Sequence, residues 1–453
     1  MLQRKAYQKL LEWKQKSRGS TALLVEGARR VGKSSLVEEF GTNEYETYLV
    51  VDFTYAPSDV INYFIDMRND LDSFFLYLSA FYQVPLIPLK TLIVFDEVQE
   101  YPKARESIKQ LVADGRFDYI ETGSLVSIRK NVKDILLPSE ERSMRLNPFD
   151  FEEFLWAMGE EPLGEAIADS FTHMKALPAS LHRKAMRLFR EYMLVGGMPQ
   201  AVQKYADTRN FEEVDEIKRG ILTLYRNDIA KHAGTAVRRV TSIFDNLAGQ
   251  LSKKEKRFNV ASLGKNARMR DYEDAFFWLS DAHITNGCFN STDPNVGLKI
   301  NEDRTTVKCY MADTGLLVTH ALAVSSATPE SIYRDILLGK IGLNEGMITE
   351  NLIAQQLRAR GHELFFYSSY SREDALSTVE IDFLTVAGYA DAAMRARVCP
   401  IEVKSSKRYS TASLDKFKER FGKNIGTQYI VCPKELSVSE NRVTLPLYMA
   451  GLL

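Results

Sequence analysis

TALLVEGARRVGKSS, residues 21–35, opens with the apolar run of a buried strand and passes directly into a loop bounded by glycines. Gly27-Ala28-Arg29-Arg30-Val31-Gly32-Lys33-Ser34, followed by Ser35, meets the spacing G-x-x-x-x-G-K-[ST] in full. It also stands where that spacing has meaning, between an expected strand and an expected helix. Glycines let the backbone wrap phosphates with its N–H groups pointing inward, and a helix N-terminus favours the anion. In this geometry Lys33 neutralises the β- and γ-phosphates and Ser34 offers an oxygen to Mg²⁺. The stretch therefore predicts ATP as ligand, Mg²⁺ as its counterion, and residues 27–35 as the cradle.

Working outward, YETYLVVDFT (45–54) reads as a second strand and TLIVFDEVQE (91–100) as a third, apolar on both faces as a central parallel strand should be. FDYIETGS (117–124) reads as a fourth strand, and a fifth is expected near RSMRLN (142–147). SDVINYFIDMRNDLDSFFLYLSAFYQ (58–83) reads as one long helical stretch, and Tyr7, Leu10, Leu11 and Trp13 mark a short amphipathic helix at the start. Strands alternating with helices from residue 20 to about 150 predict an α/β unit with a parallel sheet. Asp96 and Glu97 close the third strand. Asp96 is the expected Mg²⁺ partner, and Glu97 is placed to polarise an attacking water as general base. Thr122 and Ser124, at the end of the fourth strand, are candidates to reach the γ-phosphate or that water. Arg142 and Arg145, expected just before the fifth strand, are candidates to meet the developing phosphate charge or are surface residues.

The chain has 453 residues and a formal net charge of −1, which excludes a polybasic molecule and leaves room only for local basic surfaces. Cys288, Cys309, Cys399 and Cys432 form no C-x-x-C pair, and no histidine stands at metal-ligand spacing, so they read as reduced thiols. The N-terminal stretch is charged throughout, unlike a signal peptide, and no run of about 18 apolar residues predicts a membrane span. A cytoplasmic protein is expected.

DEVQEYP, ETGS, FDFEEFLWAMG, YMLVGGMPQAV, LYRNDI, QLSKKEKRF and YMADTGLL follow one another along the chain. Together they resemble a large group of prokaryotic AAA-type P-loop ATPases with a C-terminal domain of unknown function similar to restriction-endonuclease folds. The third strand with its adjacent carboxylates, separated from the loop by another strand, is similar to the AAA-type branch with a catalytic glutamate. Gly197-Met198-Pro199 resembles the G-x-P of the lid in signalling-type ATPases, where the proline approaches the nucleotide. The expected organisation is an ATPase domain over 1–150, a helical lid over 151–235, a winged-helix-like domain over 236–334, and a nuclease-like domain over 335–453.

FNVASLGKNARMRDYEDAFFWLSDAHITNGCF (258–289) has the pattern of a winged helix. VASLGKNA would be a helix and turn, DYEDAFFWLSDAHI the following helix, and the strands near NGCF and KCYMAD the wing. Lys253, Lys254, Lys256, Arg257, Lys265, Arg268 and Arg270 against Glu255 give residues 251–270 a net charge of +6, suited to a nucleic-acid backbone. Asp271, Glu273 and Asp274 crowd the following helix and would repel DNA, so DNA and a protein partner both stay open.

In the last third, EGMITENLIAQQLRARG (345–361) reads as a helix carrying Glu350, VEIDFLTV (379–386) as a strand carrying Asp382, and PIEVKSS (400–406) as the next strand. Residues two apart on a strand share a face, so Glu402 and Lys404 project together. An Asp followed by E-x-K on a neighbouring strand is the PD-(D/E)XK pattern. There Asp382 and Glu402 would share Mg²⁺, Lys404 would orient the nucleophile, and Glu350 would complete the metal shell. A surface ion pair and a nuclease fold without activity are the competing readings. Three functions follow: an ATP-driven nucleic-acid enzyme, an ATPase that binds DNA without cutting it, or a signalling-type ATP switch for a protein partner.

Overall fold

The computed structural model describes all residues except 1, 18, 124–138, 254–256, 324–326, 342–343, 370–377 and 388–395. Ser124, Lys254, Glu255 and Lys256 thus lie outside the described residues. The chain divides into two compact units, Gln3–Asn147 with Asp281–His283, and Pro148–Ser280 with Ile284–Leu453.

The first unit is built on five parallel strands, β1 (Ala22–Glu26), β2 (Thr47–Asp52), β3 (Thr91–Asp96), β4 (Asp118–Gly123) and β5 (Glu141–Arg145), in the order β2-β3-β4-β1-β5. This is the parallel α/β sheet that the alternating pattern implied. β4 lies between the strand that feeds the glycine loop and the strand that ends in Asp96. The register aligns Val25 with Thr122 and Phe95 with Glu121, so the loop, Asp96 and Thr122 all emerge at one sheet edge. Ligands of open parallel sheets collect outside the carboxyl ends of the strands. Leu49, Val51, Ile93, Phe95 and Tyr119 of the sheet pack against Phe64, Phe74, Leu78 and Ile108 of its helices. The single long helix expected over 58–83 is two, Ser58–Asp66 and Leu71–Tyr82. Asp70 causes the break by capping the second, accepting from the Ser73 N–H at 3.1 Å and the Ser73 hydroxyl at 2.7 Å.

The second unit joins a helical region to an eight-stranded mixed sheet. Its strands are β6 (Thr285–Ser291), β7 (Glu302–Met311), β8 (Leu364–Ser369), β9 (Val379–Ala387), β10 (Arg397–Val403), β11 (Gln428–Cys432), β12 (Ser437–Ser439) and β13 (Arg442–Pro446). Their order is β12-β13-β11-β10-β9-β8-β6-β7. β8, β9 and β10 form an antiparallel meander, and the helix Ala412–Phe421 crosses to β11, which is parallel to β10. The helix Glu345–Arg360 packs against β6, β7, β8 and β10.

The middle of the chain differs from the winged-helix expectation in two places. VASLGKNA makes only a short 3-10 turn, Val260–Leu263, because Asn259 folds back onto the Ala261 N–H and Gly264 ends the turn in an extended conformation. The two strands expected as a wing are β6 and β7, and they belong to the large sheet, β6 pairing in parallel with β8.

The motifs behind the family resemblance meet inside this unit. Gly196 has φ 82°, and the Gly197 N–H donates to Asp313 at 2.5 Å while its carbonyl accepts from the Phe149 N–H at 2.7 Å. A Cβ on Gly197 would lie 2.2 Å from the Phe149 carbonyl, so only glycine fits. Gln355 accepts from the Thr314 N–H at 2.8 Å, and Gln356 from the Phe151 N–H at 3.1 Å. The Gly-Gly-Met-Pro signature is thus fixed by packing within its own unit, and Pro199 opens the helix Pro199–Thr208.

Candidate functional site

The glycine loop turns into the helix Lys33–Glu44 through Gly32, whose φ of 93° suits glycine. Lys33 is buried, and its ammonium donates to the carbonyls of Gly27 at 3.1 Å and Ala28 at 3.2 Å. Ser34, next on the helix, donates through Oγ to Asp96 Oδ1 at 3.0 Å. Thr122 Oγ1 donates to the same carboxylate oxygen, and the Glu97 N–H donates to Thr122 Oγ1 at 3.4 Å. Burial foremost raises the pKa of Asp96, against the hydrogen bonds from Thr122 and Ser34 that lower it. Glu97 holds a left-handed backbone, φ 52°, and its side chain accepts from Gln99 Nε2. Ser34, Asp96, Glu97 and Thr122 are therefore brought together.

The two arginines separate. Both lie inside β5 instead of before it. Arg145 is in register with Glu26 at the loop edge, whereas Arg142 is in register with Leu23 and exposed. Three residues of strand amount to about 10 Å, so Arg142 stands well back from the loop and Arg145 is the better placed. Between them the sheet hides a carboxyl group that the spacing did not flag. Glu121 is fully buried, and burial followed by the nearby Glu141 raises its pKa well above the usual range. Arg105 clasps Glu141 through two bonds of 2.8 and 2.6 Å.

In the second unit, Glu350 is buried on its helix and accepts from the Tyr310 hydroxyl at 2.6 Å. Asp382 Oδ2 accepts from the Val403 N–H at 2.8 Å, and Lys404 pairs with Glu402 at 2.7 Å. Burial, then Glu350, pushes the Asp382 pKa up to about 7, opposed by Lys308 and the Val403 N–H. Lys308 on β7 is the residue sequence reasoning missed. Its ammonium lies 3.0 Å from Glu380, 3.4 Å from Glu350 and 3.8 Å from Asp382. The available signal was a lone lysine in the otherwise apolar strand Val307–Met311. Among the described residues, no three or more His, Cys, Asp and Glu side chains are gathered as a metal shell.

Residues 19–155 match the AAA domain family, so the first unit carries a P-loop AAA-type domain. Residues 186–328 match a domain of unknown function, DUF8612, and residues 345–449 another, DUF4143. No curated protein matches the chain. Among solved structures, the Walker-type ATPase PABY2304 of Pyrococcus abyssi is 16% identical over 71% of this chain and 96% of its own, with a TM-score of 0.44. The STAND protein PH0952 from Pyrococcus horikoshii, which has a tetratricopeptide repeat sensor, is 11% identical over 79% of this chain and 45% of its own, TM-score 0.28. The Aeropyrum pernix Orc1 protein, solved in complex with DNA, is 13% identical over 75% and 94%, TM-score 0.24. Among the described residues, no helix is long and apolar enough to cross a membrane.

Proposed function

We propose that the first unit binds ATP with Mg²⁺ and hydrolyses it, and that the second unit is the module that this cycle acts upon. The observation that carries the reading is the convergence of Lys33, Ser34, Asp96, Glu97 and Thr122 at one edge of the parallel sheet. The Ser34 hydroxyl and the Asp96 carboxylate offer hard oxygens, the donor set that Mg²⁺ takes beside a nucleotide. Bound there, the ion would supply charge neutralisation between the β- and γ-phosphates. Lys33 would exchange carbonyl partners for phosphate oxygens. Glu97 would orient a water and accept its proton, with Gln99 holding the carboxylate and Thr122 fixing the neighbouring Asp96.

ATP turnover of the full chain tests this. Lys33→Met should lose nucleotide binding. Glu97→Gln should bind ATP but turn over roughly 10²–10⁴-fold more slowly, the range of a lost general base. Normal turnover by Glu97→Gln would remove the base from Glu97, and failure of the unaltered chain to bind ATP would remove the whole reading.

For the second unit, the meander β8–β10, the parallel strand β11 after a crossover helix and the helix bearing Glu350 support the nuclease-like reading. Its partner is DNA or another nucleic acid, or a protein in a signalling-type switch. Arg257, Lys265, Arg268 and Arg270 support the nucleic-acid partner, which a salt-dependent DNA shift would reveal.

A further inference from the structure

Every residue of the run Val307-Lys308-Cys309-Tyr310-Met311 on β7 is buried. Lysine is almost never fully buried unless it is paired. Lys308 has no exposed surface, and three carboxylates face its ammonium: Glu380 at 3.0 Å, Glu350 at 3.4 Å and Asp382 at 3.8 Å. The ammonium donates to Glu350 Oε1, and Glu380 and Asp382 are its further ion-pair partners. The ring of Phe366 adds a fourth neighbour, its centroid 4.9 Å from Nζ. β6 and β8 lie between β7 and β9 in the sheet. At the usual strand spacing a flat sheet would hold β7 and β9 about 14 Å apart, well beyond one lysine. The sheet must curl to bring Lys308 onto the β9 carboxylates.

We propose that Lys308 is the resident cation of this cluster: its ammonium lies against Glu350 and Asp382, two of the three carboxylates expected to hold a divalent ion, and against Glu380 beside them, and the nuclease-like constellation is closed to metal in the folded protein. Mg²⁺ demands near-octahedral oxygen ligands at close range. Here one oxygen of each expected ligand already has a donor. Asp382 Oδ2 holds the Val403 N–H, and Oδ1 faces Lys308. Glu350 Oε1 holds the Tyr310 hydroxyl and Lys308, and Glu402 Oε2 holds Lys404. A divalent ion entering beside a fixed ammonium would meet repulsion in a poorly screened interior. Without a metal, this cluster lacks the acidified bound water on which the metal-dependent mechanism relies. The second unit then keeps the nuclease-like frame for shape and contact. The proposal is independent of whether the first unit hydrolyses ATP.

Counting Mn²⁺ ions bound to the full chain without nucleotide tests it, because differences between variants cancel any ion held in the first unit. The unaltered chain and Asp382→Asn should take up Mn²⁺ equally. Lys308→Met should gain roughly one further ion per chain, the capacity of a single carboxylate site, and Lys308→Met with Asp382→Asn should lose it again. An ion lost from the unaltered chain on Asp382→Asn would overturn the proposal, as would a folded Lys308→Met that gains none. Should Lys308→Met fail to fold, the comparison of the unaltered chain with Asp382→Asn still decides.

Discussion

Both units hold a buried lysine beside an acidic strand, yet Lys33 and Lys308 are in opposite conditions. Lys33 is tied to two neutral carbonyls, those of Gly27 and Ala28. Each such bond has an ionised donor but a neutral acceptor, and is readily exchanged for one to a charged phosphate oxygen. Lys308 is tied to three carboxylates. Its charge is already committed to them. Burial and residue type are alike in the two sites. The charge of the partners decides whether a lysine awaits an anion or closes a cluster.

The largest expected effect is therefore on stability in the second unit. Removing one member of a buried, paired charge cluster costs roughly 3–5 kcal/mol because the remaining charges stay uncompensated. Lys308→Met should show this loss in the unfolding transition of the second unit, followed by denaturant titration. Adding Glu350→Gln should recover part of it. A cost below about 1 kcal/mol, the level of a surface ion pair, would mean that the cluster is not held by charge.

The pH dependence sharpens the contrast. The Asp382 pKa, pushed up to about 7, stands above the ordinary aspartate value of about 3.9. The folded state then binds the proton more tightly than the unfolded chain. This contribution is fully present below about pH 4, falls away as pH rises towards about 7, and is constant above that. The slope in this window is at most about 1.4 kcal/mol per pH unit. Asp382→Asn should flatten it. Equal slopes for the two proteins between pH 4.5 and 8 would show that Asp382 keeps an ordinary pKa.

Much of the first unit was legible because its chemistry is local. Lys33 and Ser34 belong to one short loop, and Asp96, Glu97 and Thr122 sit at strand ends whose apolar runs announce them. What the pattern could not give was register. Arg142 and Arg145 look equivalent in sequence, and only the pairing of β5 with β1 sets Arg145 at the loop edge and Arg142 behind it. In the second unit Glu350, Asp382, Glu402 and Lys404 were each visible, but Lys308 comes from a strand that precedes Asp382 by more than 70 residues. It reaches the cluster only through the curl of a sheet whose last two strands, β6 and β7, the sequence pattern assigns to a separate wing. Pairings at such sequence distance leave no periodic trace. The same holds for Gly196 and Gly197, whose need for glycine arises from Phe149 and Asp313 and not from their neighbours.

The smallest expected effect completes the comparison from the other side. Lys33→Met keeps much of the buried stem and removes only the ammonium. What it leaves behind includes two backbone carbonyls at the mouth of a phosphate loop. Carbonyl oxygens tolerate missing partners better than charges do. The unfolding transition of the first unit should therefore move less than that of the second unit does in Lys308→Met, although nucleotide binding is lost. Denaturant titration of this variant beside Lys308→Met measures the two lysines on one scale. If Lys33→Met cost as much as Lys308→Met, neutral and charged partners would be holding the two ammonium groups equally firmly, and the distinction between an exchangeable and a committed lysine would fail.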